Sequence, residues 1–97
     1  MARKVVWTSK AISIFHEILA FYVRRNQSKT YSRKLNKEIN ILIKQLVEFP
    51  YLGRVTNIPA VHVRIIKHYK IFYQITSSEI IIHLVWDTRQ DPSKFPL

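Results

Sequence analysis

The fold of this chain is decided by the stretch Val61 to Pro92, VHVRIIKHYKIFYQITSSEIIIHLVWDTRQDP. Three runs rich in isoleucine, valine, phenylalanine and tyrosine follow one another here, and such runs are typical of β-strands. Lys67–His68 and Ser77–Ser78 separate them, and connections this short join neighbouring strands in antiparallel order. The stretch therefore predicts three antiparallel strands that end at the polar segment WDTRQDP.

Side-chain alternation predicts how these strands are buried. The middle strand places Tyr69, Ile71, Tyr73 and Ile75 on one face and Lys70, Phe72, Gln74 and Thr76 on the other. The last strand is apolar on both faces, with Ile80, Ile82, Leu84 and Trp86 against Ile81, His83 and Val85. A strand that is apolar on both faces is expected at the centre of a sheet.

The residues before this stretch predict one further strand and two helices. Lys4–Trp7 suits a strand, and Thr8 or Ser9 can cap the helix that follows. Apolar residues at helical spacing predict helices over about 11–25 and 28–49. Two consecutive helices with a short link form an antiparallel hairpin, whose apolar stripes need the sheet as a partner.

The predicted architecture is an α+β fold in the order β-α-α-β-β-β. It has a helical hairpin packed on one face of a small, mainly antiparallel sheet. The 97 residues suffice for one two-layer core, so we expect a single domain over 1–97. Because two helices cover only one face of the sheet, we expect apolar surface on the far face to remain for a partner.

The charge of the chain favours anionic partners. Lysine and arginine number 16 against 6 aspartate and glutamate residues, a formal net charge of +10. A field of this size attracts nucleic acid, a ribosome, an acidic protein or anionic lipid. Part of the charge forms a basic outer face on the second helix, which is either simply solvated or a docking surface: Arg33, Lys34, Lys37 and Lys44.

Several classes of protein and of site are excluded or disfavoured. The chain has no cysteine, which excludes disulfides and cysteine-ligated metal sites. No apolar run approaches the roughly 18 residues that span a membrane, so a cytoplasmic protein is the simplest expectation. The sequence contains neither a glycine-rich phosphate loop nor a nucleophile elbow. The histidines show no metal-ligand spacing, so we expect no metal and no cofactor: His16, His62, His68 and His83.

Four cations near the turns of the predicted sheet are the main candidates for a site. Arg64, Lys67 and Lys70 flank the first turn, and Arg89 follows the last strand. Several cations at one end of a sheet can form a cradle for phosphate groups. Such a cradle could bind RNA without reacting, or stabilise the charged transition state of phosphodiester cleavage. Alternatively, the two carboxylates of WDTRQDP simply hold Arg89 by charge-assisted hydrogen bonds.

Five parts of the chain together resemble the RelE/ParE superfamily, the toxin halves of bacterial type II toxin–antitoxin pairs. They are VVWTSKA at 5–11, Tyr31, LVEFPYLGR at 46–54, VRIIKHYKIFYQI at 63–75 and IIIHLVWDTRQDP at 80–92. The order and spacing of the five parts carry the resemblance, which extends over nearly the whole chain. It implies the same β-α-α-β-β-β fold, inhibition of bacterial growth, and a cognate antitoxin that wraps the toxin and covers its spare apolar face.

The resemblance implies one of two activities. ParE-like members inhibit DNA gyrase and have no known nuclease chemistry, whereas RelE-like members cleave mRNA in the ribosomal A site without a metal. The motifs FPYLGR and WTSKA favour the ParE-like members, so we expect a gyrase-directed toxin. A RelE-like endoribonuclease is the alternative, and a basic RNA-binding module outside the toxins is a third.

The RelE-like nucleases also imply particular site residues. They resemble one another in an arginine of the middle strand, an arginine after the last strand and a late tyrosine or histidine; Lys70, Arg89 and Phe95 stand at these places. Lys70 keeps the charge but lacks the bidentate fork of arginine. Phe95 can stack on a base but cannot exchange a proton. A RelE-like toxin would thus use Arg89, Lys70 and Arg64 in catalysis, and the candidates for target binding are Arg64, Lys67, Lys70, Arg89 and Phe95.

Overall fold

Two helices lie on one face of a five-stranded mixed sheet, as the computed structural model shows for residues 3–97. The predicted domain starts at Met1, which lies outside the described residues together with Ala2. The elements are β1 (Lys4–Trp7), α1 (Ser9–Asn26), α2 (Thr30–Glu48), β2 (Arg54–Val55), β3 (Val61–Ile66), β4 (Tyr69–Ile75) and β5 (Glu79–Asp87). Short 3-10 helices span Pro50–Leu52 and Pro92–Lys94. The predicted α+β fold is confirmed, with the two-residue strand β2 as an unpredicted addition.

The strand order in the sheet is β1-β5-β4-β3-β2. Strand β1 pairs in parallel with β5, and all other neighbours are antiparallel. The last strand therefore lies between β1 and β4, as its two apolar faces predicted. The parallel pair is possible because the helical hairpin carries the chain back across the sheet between β1 and the antiparallel strands.

Local chemistry explains where α1 begins and ends. The hydroxyl of Thr8 accepts a hydrogen bond from the Ala11 amide at 3.0 Å, which satisfies one of the free N–H groups at the helix start. Arg24 and Arg25 lie in the last turn, where a positive charge complements the helix dipole. Gln27 takes a left-handed conformation with φ 50° and ends the helix, because its N–H turns back to the carbonyl of Val23.

A β-bulge at His83 changes which side chains of β5 face the helices. Leu84 is opposite Phe72, but the next residue of β4, Tyr73, is opposite Ile82, so His83 is the extra residue. The predicted alternation, which put Ile80, Ile82, Leu84 and Trp86 on one face, is therefore wrong. Ile80, Ile82 and Val85 pack under the helices, and Leu84 and Trp86 belong to the far face.

The main core lies between the hairpin and the sheet. Its fully or nearly fully buried side chains come from both helices and from β4 and β5; they include Phe15, Ile39, Leu46, Tyr69, Ile71, Tyr73, Ile82 and Val85. The apolar stripes predicted for the two helices supply the helical side of this core. In this packing β5 lies against α1, and Tyr31 in the first turn of α2 meets Tyr69 of β4.

A smaller apolar cluster covers the centre of the far face. The ring of Phe95 lies with its centroid 5.2 Å from that of Phe72 and 5.3 Å from that of Trp86. Phe72 and Trp86 are only 7% and 8% exposed as a result. Ile65, opposite Lys70 on the same face, stays 49% exposed. The chain itself thus covers much of the apolar surface that we expected to be free for a partner.

Candidate functional site

Arg89 folds back from the turn after β5 onto the last residue of that strand. Its Nε donates to Oδ1 of Asp87 at 3.0 Å and its Nη2 donates to Oδ2 at 3.0 Å, so the ion pair has two hydrogen bonds. The Arg89 amide also donates to Asp87 Oδ1 at 2.9 Å. The Asp87 residue is 4% exposed. Such a bidentate pair fixes the guanidinium plane as well as its position.

Three tyrosines from different elements complete what we call the Arg89 cluster, formed by Arg89, Asp87, Tyr22, Tyr31 and Tyr69. Tyr22 of α1 donates its hydroxyl hydrogen to Asp87 Oδ2 at 2.8 Å. Arg89 Nη2 donates to the Tyr69 hydroxyl at 2.9 Å, and that hydroxyl shares a 2.7 Å hydrogen bond with Tyr31. The guanidinium carbon also lies 5.1 Å from the ring centre of Tyr22, within cation–π range. The cluster joins both helices to the end of the sheet.

The environment of each group determines its protonation state. Burial raises the pKa of the Asp87 carboxyl, but the hydrogen bonds and charge of Arg89 outweigh burial, so that the pKa is lowered overall. Burial, followed by the hydrogen bond to Tyr31, raises the pKa of Tyr69. Burial and the carboxylate of Asp87 likewise raise the pKa of Tyr22. At neutral pH Asp87 is thus ionised, Arg89 is charged, and Tyr22 and Tyr69 keep their protons.

A groove of about 520 Å³ opens beside the cluster, between α1 and the C-terminal segment. Three cations from separate parts of the chain line it: Arg25 of α1, Arg89 and Lys94. Glu17 and the ion-paired Asp87 are the acidic residues of its wall. Its apolar wall is made by Ile14, Ile18, Phe21, Trp86 and Pro96. The groove therefore suits a partner group that combines negative charge with apolar surface.

Sequence reasoning identified Arg89 but missed Arg25 and Lys94 as its neighbours. Arg25 lies far from the predicted sheet in the sequence, in the last turn of α1, and Lys94 follows the predicted polar segment. The signal for Lys94 was Asp91–Pro92, because Asp91 Oδ1 accepts from the Ser93 amide at 3.0 Å and starts the 3-10 helix that carries Lys94. Of the two carboxylates predicted to hold Arg89, only Asp87 does so.

The other predicted site residues do not join Arg89 in one cradle. Lys67 Nζ contacts both carboxylate oxygens of Glu38 on α2 at 3.0 Å. Arg64 is opposite Ile71 on the helix-covered face, and its Nε is buried with no hydrogen-bond partner within residues 3–97. Lys70 is opposite Trp86 on the far face. The structure divides the predicted cations between the two faces of the sheet.

Lys70 and Phe95 line a second groove, which lies on the far face and also measures about 520 Å³. Its walls include Val63, Phe72 and Trp86, so it is largely the apolar cluster that Phe95 covers. Phe95 is thus held in a packing role by two aromatic neighbours. Within residues 3–97 no three histidine or acidic side chains are grouped so that they could hold a metal ion. No helix in that range is both long and apolar enough to cross a bilayer.

Comparison with known proteins identifies the family. The family model for the ParE toxin of type II toxin–antitoxin systems, parDE, matches residues 5–92. The chain belongs to this family. The superfamily predicted from the five sequence segments is thereby confirmed, and the protein is a ParE-like toxin of a type II toxin–antitoxin system. Membership implies an antitoxin as partner.

A solved structure supports the fold of this ParE-family toxin. It is described as the chromosomal ParDE TA system from P. aeruginosa and is similar with a TM-score of 0.74. The match covers 87% of this chain and 94% of that chain at 22% sequence identity. At this identity the likeness establishes the fold. A search with the sequence against curated proteins found no significant match.

Proposed function

We propose that this ParE-family toxin arrests growth by binding and inhibiting DNA gyrase, and that an antitoxin neutralises it by covering its surface. The observation that carries the choice of target is the state of Arg89. Its guanidinium is committed to Asp87 through two hydrogen bonds and to Tyr69 through a third. A guanidinium held in this way stabilises the fold and contributes positive charge to the surface.

The same geometry argues against the alternative of mRNA cleavage. Cutting a phosphodiester requires a group that moves a proton and charges that stabilise the transition state. The ion pair lowers the pKa of Asp87, and burial raises the pKa of Tyr69, so neither is suited to proton transfer near neutral pH. Lys70 lies on the opposite face from the Arg89 cluster, and Phe95 has no proton to give. The residues that would serve a RelE-like reaction are therefore not assembled.

An exposed apolar segment supports a target that is itself a protein. Between the end of α2 and β2, Phe49, Tyr51, Leu52 and Val55 are 60%, 72%, 42% and 81% exposed. Large apolar and aromatic side chains of this kind anchor protein–protein interfaces and seldom stay uncovered in a group. We assign this segment to contact with the antitoxin or gyrase, both of which we place with the toxin in the cytoplasm.

Two readouts test the proposal together. Purified toxin should block supercoiling of relaxed plasmid by DNA gyrase, and induction in a bacterial host should trigger the DNA-damage response while mRNA stays intact. Arg89→Ala and Arg89→Lys variants should be assayed in parallel, with folding checked by circular dichroism. Cuts in mRNA at fixed codon positions that vanish in Arg89→Ala, with gyrase unaffected, would establish the RelE-like activity instead.

A matched pair of variants tests the exposed segment. Phe49→Ser with Tyr51→Ser should weaken binding of gyrase or antitoxin at least about tenfold, as the loss of aromatic anchors does. Ile12→Ser is the control, because Ile12 is also partly exposed at 41% but lies on α1. Equal binding by the double variant and the control would rule out the segment as a contact surface.

A further inference from the structure

The positive charge of the chain is concentrated in the helical hairpin. Between Glu17 and Glu38 the sequence contains no carboxylate residue. The same interval contains Arg24, Arg25, Lys29, Arg33, Lys34 and Lys37. Arg25 lines the groove beside Arg89, but the function proposed above leaves the cations of α2 without a role.

Two of these cations, together with Lys44 farther along α2, form a straight stripe, which we call the basic face of α2 and define as Arg33, Lys37 and Lys44. Lys37 and Lys44 follow Arg33 by 4 and 11 residues. In an α-helix these spacings place the three residues within about 40° of arc and spread them over about 16 Å of its length. All three residues are exposed. The buried side chains Leu35, Ile39, Leu42 and Leu46 lie on the opposite side of the helix, against the core. The basic face thus points away from the body of the protein.

None of the three cations of the basic face forms an ion pair within residues 3–97, and the acidic residue on the same side of α2 is Glu48, one turn beyond Lys44. Over residues 3–97 the ion pairs are Lys67 with Glu38 and Arg89 with Asp87, so Glu38 is engaged by the sheet side. Like charges four residues apart, such as Arg33 and Lys37, destabilise a helix by a few tenths of a kcal/mol. The stripe therefore weakens the isolated helix slightly, whereas an anionic partner would turn the same charges into favourable contacts.

The surroundings of the stripe identify the class of anion. Asn40 and Ile41, which is 48% exposed, flank the stripe, and the exposed amides of Asn36 and Gln45 lie farther round the helix. A protein partner would need apolar anchors, which this molecule presents elsewhere, in the 49–55 segment. Single-stranded nucleic acid would need aromatic rings for its bases, and the one aromatic residue of α2, Tyr31, is held in the Arg89 cluster. Cations and amides with no exposed aromatic side chain and a single exposed aliphatic one, Ile41, are the composition of a surface that contacts DNA phosphates.

We propose that the basic face of α2 binds the phosphate backbone of duplex DNA. Its length of about 16 Å corresponds to about five nucleotides along one strand. The contact is electrostatic, independent of base sequence and separate from the groove and from the 49–55 segment. The contact does not depend on gyrase being the target, because the ligand is the DNA duplex. It gives the toxin a second binding surface wherever a duplex is present.

The test compares two variants with the same net charge. The first is Arg33→Gln with Lys37→Gln and Lys44→Gln; the control is Arg54→Gln with Lys4→Gln and Lys10→Gln, three exposed cations outside α2. Binding of the purified full-length toxin to a fluorescein-labelled 20-base-pair duplex is followed by anisotropy between 50 and 200 mM salt. The first variant should bind at least about tenfold more weakly at 100 mM salt, and its log–log salt slope should be about 2 to 3 units shallower. In the control variant the salt slope should change by less than a third of that amount.

Three results would overturn the proposal. Equal losses in the two variants would show that only net charge matters. A larger loss of binding to poly-glutamate than to the duplex would assign the basic face to an acidic protein, and tighter binding of a 20-nucleotide RNA single strand would assign it to RNA. Gyrase inhibition is measured separately with relaxed plasmid, so a toxin that binds DNA without inhibiting gyrase would contradict the proposed function and leave this inference standing.

Discussion

Arg89 and Asp87 form an ion pair with two hydrogen bonds of 3.0 Å across the turn that follows β5. The pair sits where Tyr22 of α1 and Tyr69 of β4 also converge, through hydrogen bonds of 2.8 Å to Asp87 and 2.9 Å to Arg89. In this ParE-family toxin the arginine after the last strand therefore fastens the helical hairpin to the sheet. Only the outer side of its guanidinium remains for contact with a partner.

Removing the carboxylate charge of Asp87 should destabilise the toxin. Asp87→Asn leaves Arg89 without its counter-charge and weakens the hydrogen bond from Tyr22. Breaking a buried pair by removing one partner costs about 3–5 kcal/mol, and because Arg89 is 39% exposed we expect about 2 kcal/mol. Urea denaturation measures the change. Asp91→Asn is the control, since its side chain holds only the exposed Ser93 amide, and a loss as large there would contradict the assigned role of Asp87.

The Asp87 contribution should depend on pH in a defined direction. The pKa of Asp87 is lowered in the folded chain, burial being outweighed by Arg89, whereas in the unfolded chain it returns to about 3.9. The stabilisation is therefore complete above about pH 4 to 5 and is lost as the pH falls through the lower folded pKa. Denaturation of wild type and Asp87→Asn at pH 7, 4 and 2.5 should show their free-energy difference shrinking towards acid. A difference that stays constant would refute this linkage.

Gly53 should tolerate no side chain, because the Tyr73 hydroxyl occupies its place. The Gly53 amide donates to that hydroxyl at 3.0 Å, and the hydroxyl donates to the Pro50 carbonyl at 2.7 Å. A Cβ at residue 53 would lie 2.7 Å from the Val63 carbonyl oxygen and against the Tyr73 ring. We expect Gly53→Ala to cost about 2 kcal/mol of unfolding free energy.

Tyr73→Phe should cost about 1–2 kcal/mol, because it leaves a donor and an acceptor at this turn unpaired. The double variant with Gly53→Ala should cost less than the sum, since the phenyl ring no longer carries the oxygen that opposes the new methyl group. Thermal denaturation of all four proteins measures the coupling. Strict additivity would show that the clash involves the Val63 carbonyl and the aromatic ring, and not the hydroxyl oxygen.

Phe95 should act as the cover of the far-face cluster. Phe95→Ala uncovers Phe72 and Trp86, and because Phe95 is only half-buried we expect a loss of about 1–2 kcal/mol, below the full cost of a core phenylalanine. The fluorescence of Trp86 should shift to longer wavelength as water reaches the indole. Leu97→Ala is the control, because Leu97 is 43% exposed. An unchanged spectrum in Phe95→Ala would show that another segment protects Trp86.

The sequence pattern was sufficient to predict both helices, four of the five strands and the family. Two patterns predicted the α+β fold and the central place of β5: the Ile- and Val-rich runs of 61–87 and the apolar stripes of the two helices. Such patterns are informative because a buried helix face and a buried strand face each repeat apolar residues at a characteristic spacing. Residue order and spacing predicted the superfamily, and the match over 5–92 confirmed it. Arg89 was recognised as a candidate from its position after the last strand.

What the sequence by itself determined is therefore the main helices and strands and the charge of the chain. Tertiary structure decided the faces and the neighbours. The bulge at His83 reversed the alternation of β5. The sequence pattern could not reveal the extra residue, because both faces of that strand are apolar. Packing of α1 and the C-terminal segment placed Arg25 and Lys94 in one groove with Arg89, and packing of the helices on the other face of the sheet separated Lys70 from that groove. Local periodicity indicates the buried side of a regular helix or strand, but long-range pairing and packing decide where a strand is irregular and which charges meet.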